Sequence, residues 1–293
     1  KNNMEFILTN VGTAIGTMMV ALSYPIWYLL FKKKVTFPPS IAAPEGYVIE
    51  SMKREDYDTC VKLAAKCFSE NNPGVVHLGI TAEEWTALTI NDTQIENCVD
   101  TNLSLVCKRK ADNKIGAFLF CKRQDISHTI PNYKDLFKKQ KAFQYFAHAL
   151  ETLYEGAISP FGGIGVGSLI NGTCLHAAMG GTDKTVGRKG LAKCLRRAAL
   201  DVALKNGFTT VLVEAGHPGT THIWTKYVKA KEVATLWFDK YKAPDGTYPT
   251  KGVEDRIALC EFRVHDTFSD SALMWPIQLA RLILTGASYE YDW

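Results

Sequence analysis

The spacing of apolar and polar positions along the chain predicts a mixed α/β domain. Runs of β-branched and aromatic residues between turn signals predict strands, and apolar positions three or four residues apart predict amphipathic helices. The predicted strands are 47–53, 103–109, 115–121, 172–179, 209–215 and 254–264. The predicted helices are 54–68, 83–99, 131–156, 191–205 and a short one at 221–227. The interleaving of strands and helices places the domain in the α/β class.

The N-terminal segment has a different pattern, because residues 6–31 contain no charged side chain. About 20 apolar residues suffice to cross a bilayer, so this run predicts one transmembrane helix. Lys32–Lys34 follow at once, with Trp27 and Tyr28 at the boundary, as is typical of a membrane interface. The positive-inside rule then places the soluble domain on the cytosolic or matrix side, and a matrix side implies the mitochondrial inner membrane. A cleaved signal peptide and a buried helix of a soluble protein are the alternatives.

The same pattern divides the chain into four parts. Residues 1–36 are the predicted membrane anchor, 37–46 a proline-rich linker, 47–264 the folded domain and 265–293 a C-terminal amphipathic extension. Gly12 and Gly16 form a G-x-x-x-G pair, which permits close helix contact in a membrane. The lipid bilayer is thus one predicted partner. Other subunits of a membrane complex, reached through this pair and the C-terminal extension, are the second.

Composition excludes some classes of function. The formal net charge of +4 over 293 residues is too small to indicate a nucleic-acid-binding surface. The eight cysteines are scattered and form no C-x-x-C motif, so no metal site or dithiol pair is predicted. Most of them fall in apolar runs, which favours reduced, buried thiols.

The segment with the clearest chemical potential is Gly187-Arg-Lys-Gly-Leu-Ala192, between a predicted strand and the predicted helix 191–205. Unpaired N–H groups at a helix start favour an anion, and Arg188 and Lys189 add positive charge there. Gly190 allows a ligand to approach the backbone closely. A surface turn with two solvated cations is the alternative interpretation.

This loop, the helix after it and strand 209–215 together resemble the core of the GNAT superfamily of N-acetyltransferases. The loop of that superfamily reads Gln/Arg-x-x-Gly-x-Gly/Ala and binds the pyrophosphate of coenzyme A. The chain matches this pattern except at the first position, where it has Gly187. The hairpin 103–121 is also typical of this superfamily. The segments 67–74 and 78–85 resemble its arylalkylamine branch, whose members acetylate amines such as dopamine or serotonin.

The resemblance implies a GNAT fold, with a mixed central sheet of about six to seven strands flanked by helices. It also implies acetyl-coenzyme A as cofactor, held where the fourth and fifth strands splay apart. The cofactor-binding residues that it implies are Ala177, Ala178, Met179, Gly187, Arg188, Lys189, Gly190, Leu191 and Ala192.

The chain departs from the family pattern at two catalytic positions. The arylalkylamine-like base is a Glu directly before a Pro, and here Asn72 stands before Pro73. An amide does not accept a proton at neutral pH, so Asn72→Glu is expected to raise activity. Trp224 stands where many relatives have the Tyr that protonates the thiolate. Candidates to replace these groups are Glu70, His217, His222 and Tyr227, with His176 and Glu214 in addition. Each of them also has a purely structural interpretation.

Two functions follow from the sequence. One is a membrane-anchored, acetyl-coenzyme A-dependent N-acetyltransferase or a weakly active descendant of one. The other is a catalytically inactive GNAT-like accessory subunit of a membrane complex. The loop 187–192 favours the enzyme, whereas Asn72, Gly187 and Trp224 favour the accessory subunit.

Overall fold

The computed structural model describes residues 42–90, 93–124, 141–158, 172–186 and 189–264. The predicted membrane anchor, the C-terminal extension and the first half of the linker lie outside these ranges. Within them, no helix is both long and apolar enough to cross a membrane. The membrane span at residues 6–31 therefore stays a prediction.

A mixed sheet forms the centre of the domain. Its strands are β1 (Tyr47–Ser51), β2 (Leu105–Arg109), β3 (Ile115–Gln124), β4 (Cys174–Thr182), β5 (Thr210–Ala215), β6 (Lys231–Trp237) and β7 (Arg256–Arg263). They pair in the order β1-β2-β3-β4-β5-β7-β6. Every neighbouring pair is antiparallel except β4 and β5, which are parallel. The predicted α/β class and the mixed sheet are confirmed.

Helices cover both faces of this sheet. They are α1 (Tyr57–Asn71), α2 (Pro73–His77), α3 (Ala82–Ile90), α4 (Thr93–Asp100), α5 (Lys141–Ile158), α6 (Leu191–Lys205) and α7 (Pro218–His222), and a π-helical turn (Ile223–Val228) follows α7. On one face, Leu195 and Leu200 of α6 pack with Leu119 of β3. On the other face, Val61 of α1 packs with Phe118, the residue beside Leu119. Because strand side chains alternate between faces, β3 is buried on both sides, and each fully buried leucine stabilises the fold by about 1.5–3 kcal/mol.

The predicted elements agree with the structure in most places. Helix 191–205 has the predicted bounds, and the hairpin of β2 and β3 is confirmed. Of the predicted helix 83–99, the structure describes α3, which ends at Ile90, and α4, which begins at Thr93. Residues 91 and 92 lie outside the described ranges. Of the predicted helix 131–156, residues 131–140 lie outside the described ranges.

The sequence pattern missed strand β6. This strand lies at the edge of the sheet and pairs only with β7. Its burial does not alternate cleanly, since most of its residues are half-buried or exposed. An edge strand of this kind lacks the period-two pattern from which strands are predicted.

Candidate functional site

The site is built where the parallel strands β4 and β5 separate. Their pairing joins Cys174 to Thr210 and ends with His176 opposite Leu212. Strand β4 then continues to Thr182 beside β3 alone, and β5 continues beside β7. The register of β4 against β3 shifts so that Ala178 is an extra residue, between Ala177 and Met179. Backbone groups of β4 on the side of β5 are thus left for another partner beyond His176.

A cavity of about 540 Å³ lies at this junction. One wall is aromatic and comes from α1, α3 and α5. The Phe68 and Trp85 rings stack with centroids 4.6 Å apart, and the Phe146 ring meets Trp85 edge-on at 5.8 Å. These three side chains, together with Phe143, line the cavity. A wall of this kind suits a flat, apolar ligand group.

The polar end of the cavity holds a buried carboxylate and an imidazole. Nε2 of His176 on β4 lies 2.7 Å from Oε2 of Glu214 on β5. The hydroxyl of Tyr154 on α5 donates a hydrogen bond to the other carboxylate oxygen. The side chains of His176 and Glu214 are 9% and 12% exposed, so water screens the pair little.

This arrangement sets the charge of Glu214. Burial raises the pKa of Glu214, but the charge of His176 and the hydrogen bonds from His176 and Tyr154 outweigh it. The net result is a pKa below the ordinary value of 4.5, so Glu214 is a carboxylate at neutral pH. Nδ1 of His176 is buried and has no hydrogen-bond partner within the described ranges. In the neutral ring, with Nε2–H donating to Glu214, Nδ1 carries the free lone pair.

Asn72 lines the cavity and also has a structural role. It is the N-cap of α2, and its Oδ1 accepts from the backbone N–H of Gly74 at 3.1 Å and of Val75 at 3.2 Å. Its Nδ2 lies 2.6 Å from where a Cβ on Gly216 would stand, so no larger side chain fits at Gly216 without movement. Asn72 is 6% exposed. The residue that departs from the family pattern is thus fixed by a cap and by close packing.

The region after β5 places its aromatic residues in opposite directions. Trp224 is 1% exposed and lines the cavity. Tyr227, in the same π-helical turn, is 42% exposed, and the ammonium of Lys193 lies 4.0 Å from its ring centroid. Tyr227 does not line the cavity. The geometry therefore does not support Tyr227 as the acid that would replace the Tyr of relatives, at whose position this chain has Trp224.

The other predicted catalytic residues also differ in position. Glu70 is an exposed residue paired with Lys184 at 2.8 Å, and it does not line the cavity. His217 does line the cavity, and its Nδ1 accepts from the backbone N–H of Gly219 at 3.0 Å as the N-cap of α7. His222 does not line it and packs against Tyr227, with centroids 5.5 Å apart. Of the four, only His217 reaches the cavity.

The predicted phosphate loop is described in part, since Gly187 and Arg188 lie outside the described ranges. Gly190 has φ +77°, a left-handed conformation that favours glycine, and it is the N-cap of α6. The ammonium of Lys189 lies 5.3 Å from the Tyr47 ring centroid. Leu191 is buried in the core, whereas Ala192 lines the cavity.

The residues of β4 that were predicted to bind the cofactor lie at the same cavity, because Ala177, Ala178 and Met179 all line it. Two lining or adjacent residues were missed by the sequence analysis. Tyr154 belongs to an amphipathic helix in which no motif marks it. Arg196 does carry a signal, because it stands beside Leu195 on the apolar side of α6, where a cation is unusual.

Comparison with known proteins identifies the fold. No family model and no curated protein matches the sequence. Among solved structures, arylalkylamine N-acetyltransferase 2 from Aedes aegypti is similar, with a TM-score of 0.59, 13% identity and coverage of 75% of this chain and 100% of that chain. The C-terminal condensation domain of Ebony, solved with β-alanyl-dopamine, has a TM-score of 0.57, 15% identity and coverage of 74% and 98%. The polyamine N-acetyltransferase of Drosophila melanogaster, which forms N-acetylagmatine, has a TM-score of 0.57, 11% identity and coverage of 74% and 99%. The described domain therefore has the GNAT fold.

Proposed function

We propose that the chain is an acetyl-coenzyme A-dependent N-acetyltransferase that acts on an arylalkylamine. The observation that carries this is the buried pair of His176 and Glu214, set where β4 and β5 separate and beside an aromatic-walled cavity. The separation offers backbone groups to an acyl donor, and the aromatic wall suits the ring of the amine. The similar folds of two N-acetyltransferases support the reaction class.

Acetyl-coenzyme A fits the residues at the separation. The backbone of Ala177–Met179 is unpaired toward β5, and the start of α6 at Gly190 offers N–H groups for phosphate. Nε1 of Trp224, a residue that lines the cavity, is buried and has no hydrogen-bond partner among the described residues. When bound, the cofactor supplies an acyl carbon activated for attack by an amine.

The amine must lose a proton before it can attack, because alkylamines are protonated at neutral pH. The pair of His176 and Glu214 is suited to take this proton. Neutral His176 receives it at Nδ1, and the carboxylate of Glu214 on Nε2 stabilises the imidazolium that forms. Tyr154 holds the carboxylate by donating to its second oxygen. A base is therefore present even though position 72 does not provide one.

Glu214→Gln tests this assignment. The variant keeps the shape of the side chain but not its charge, and the rate of thiol release from acetyl-coenzyme A should fall by about 10²–10⁴-fold. The matched control is Glu261→Gln on β7, since Glu261 is also buried (2% exposed) but does not line the cavity. The wild-type chain, the variant and the control are compared with phenylethylamine and with spermidine. A Glu214→Gln rate equal to that of the control would refute the role of Glu214.

The aromatic wall allows a second, independent test of whether the acceptor is an arylalkylamine. Trp85→Leu removes the ring that stacks on Phe68 while leaving an apolar side chain. We expect KM for phenylethylamine to rise about 2- to 12-fold, since an aromatic pair contributes about 0.5–1.5 kcal/mol beyond the area that it buries. The apparent Kd for coenzyme A should not change. Equal activity toward spermidine and phenylethylamine in the wild-type chain would argue against an arylalkylamine.

An inactive accessory subunit is the second candidate function. Asn72 and Trp224 favour it, because neither can act as the acid or base that relatives place there. The thiol-release assay, combined with calorimetry, distinguishes the enzyme from the accessory subunit. Coenzyme A binding by calorimetry, without thiol release for any amine, would support the accessory subunit and refute the enzyme.

We also propose that residues 6–31 anchor the chain in a membrane, with Lys32–Lys34 on the same side as the domain. The uncharged run and the lysine cluster support this. Carbonate extraction of sealed organelles should leave the chain in the membrane fraction, and protease added outside should spare the domain. Release of the chain by carbonate would refute the membrane anchor. Digestion of the domain would refute its predicted location on the cytosolic or matrix side.

A further inference from the structure

Arg196 is a buried cation for which the described residues provide no counterion. It lies on α6, is 4% exposed and lines the cavity. Its Nη1 donates to the backbone oxygen of Ala192 at 3.1 Å, and its Nε is buried with no hydrogen-bond partner in the described part of the chain. Among the residues that the structure describes, no carboxylate forms an ion pair with it.

The guanidinium lies close to the proposed acyl site. Nη2 lies 3.3 Å from where a Cβ on Gly180 would stand, and Leu119 approaches the same point to 2.8 Å. Gly180 follows Met179 on the stretch of β4 that β5 leaves unpaired. Burial lowers the pKa of Arg196 to about 10, so the group is still positively charged at neutral pH. A buried charge without a partner is strongly destabilising.

The neighbouring arginine shows the contrast. Arg197 is also buried, at 1% exposed, but it does not line the cavity. Burial lowers the pKa of Arg197, and the charge of Asp201, one helical turn further on, opposes this in part. Arg197 thus has a carboxylate nearby and does not line the cavity, whereas Arg196 lines it and has no ion-paired carboxylate among the described residues.

We propose that Arg196 is a recognition site for a carboxylate carried by one of the two substrates. This inference rests on the proposed acyltransferase function. Acetyl groups and the amides of pantetheine can accept hydrogen bonds, but they leave the charge of Arg196 unpaired. A carboxylate satisfies the charge and the guanidinium N–H groups together, in the two-bond geometry that arginine favours. It can belong to the acyl group or to the amine.

Two matched pairs of substrates show whether the carboxylate belongs to the acyl group or to the amine. The full 293-residue chain is assayed with succinyl- against acetyl-coenzyme A, using phenylethylamine as acceptor. It is then assayed with phenylalanine against phenylethylamine, using acetyl-coenzyme A as donor. In one pair, kcat/KM for the member with the carboxylate should be at least about tenfold higher, because hydrogen bonds to charged groups are among the strongest in proteins.

The variant that tests the residue is Arg196→Met. It should abolish the preference for the member with the carboxylate, since the carboxylate contact is lost. Arg196→Lys should lose most of the preference, because an ammonium cannot form the two parallel bonds. Arg197→Met is the matched control and should retain the preference. Thermal unfolding should show Arg196→Met no less stable than the wild-type chain, because an unpaired buried charge is removed.

Two outcomes overturn the inference alone. One is acetyl transfer by the wild-type chain with no preference in either pair. The other is an equal loss for all four substrates in Arg196→Met, which would show that Arg196 binds a part common to every donor. If calorimetry detects no binding of either thioester to the folded chain, the proposed function and this inference both fail.

Discussion

Asn72→Ala separates the structural role of this position from a chemical one. The substitution removes the acceptor for the backbone N–H groups of Gly74 and Val75, both in a buried part of α2. Loss of an Asn cap costs about 0.5–2 kcal/mol in the free energy of unfolding. A domain of this size loses about 2–4 °C in Tm per kcal/mol, so Tm should fall by about 1–8 °C. Well below that Tm, kcat with phenylethylamine should stay within about threefold of the wild-type value, because the side chain takes no proton.

Variants at the same position refine the test. Asn72→Asp keeps a good cap, so it should retain the wild-type Tm. Asn72→Glu was expected from the sequence to restore a base, but the structure predicts otherwise. Its longer side chain loses the cap geometry and enters the space beside Gly216, where Nδ2 is already in close contact. We therefore expect Asn72→Glu to lower both Tm and kcat.

The assay pairs thermal unfolding with initial rates of thiol release on the same samples. Thr81→Ala is the matched control, because Thr81 caps α3 by accepting from the N–H of Glu84 at 3.2 Å and does not line the cavity. Both alanine variants should lose Tm without a specific loss of kcat. A fall of about 100-fold in kcat for Asn72→Ala, at a Tm equal to that of Thr81→Ala, would show that Asn72 acts in the chemistry.

Three further outcomes follow from the same contacts. The pKa of Glu214 is lower in the folded chain than its ordinary value of 4.5, so Glu214 stabilises the fold above that pH and less as pH falls further. Urea unfolding from about pH 5 to about pH 3 should show a smaller loss of stability for Glu214→Gln than for the wild-type chain; parallel curves would contradict this. Tyr154→Phe removes a hydrogen bond that lowers the pKa of Glu214, so this pKa should rise, and an NMR titration of the carboxyl with no change would contradict this. Gly190→Ala places a Cβ on a residue with φ +77°, so urea unfolding should show a free energy of unfolding about 1 kcal/mol lower than in the wild-type chain. Gly190→Asn should lower it less. An unchanged urea midpoint for Gly190→Ala would contradict the predicted strain.

The sequence predicted the elements that have a strong local pattern. Helix α6 and the hairpin of β2 and β3 follow from periodicity and turn residues alone. Edge strand β6 did not follow, because its mostly half-buried and exposed residues lack the alternation from which strands are predicted. The local sequence pattern therefore predicts the central elements of the domain better than its edge strand.

The site itself depends on contacts between distant parts of the chain. His176 and Glu214 were both candidates, but their pairing needs the parallel register of β4 and β5, which joins residues 38 positions apart. Tyr154 completes the cluster from a helix 60 positions away from Glu214. No spacing in the sequence encodes such a contact, because register is set by packing across the whole sheet.

The short helix after β5 differs in geometry from the prediction. The sequence predicted a short helix at residues 221–227. The structure has a π-helical turn at Ile223–Val228, whose wider turn changes the direction of each later side chain. Trp224 consequently faces the cavity and Tyr227 faces outward, beside Lys193.

The absence of a carboxylate at position 72 is consistent with the carboxylate at Glu214. Both positions line one cavity, and Asn72 packs against Gly216, two residues after Glu214. Two carboxylates lining one cavity would each raise the pKa of the other. A neutral amide at position 72 instead leaves Glu214 ionised and bonded to His176. The site thus draws its carboxylate from β5, where Tyr154 and His176 hold both of its oxygens.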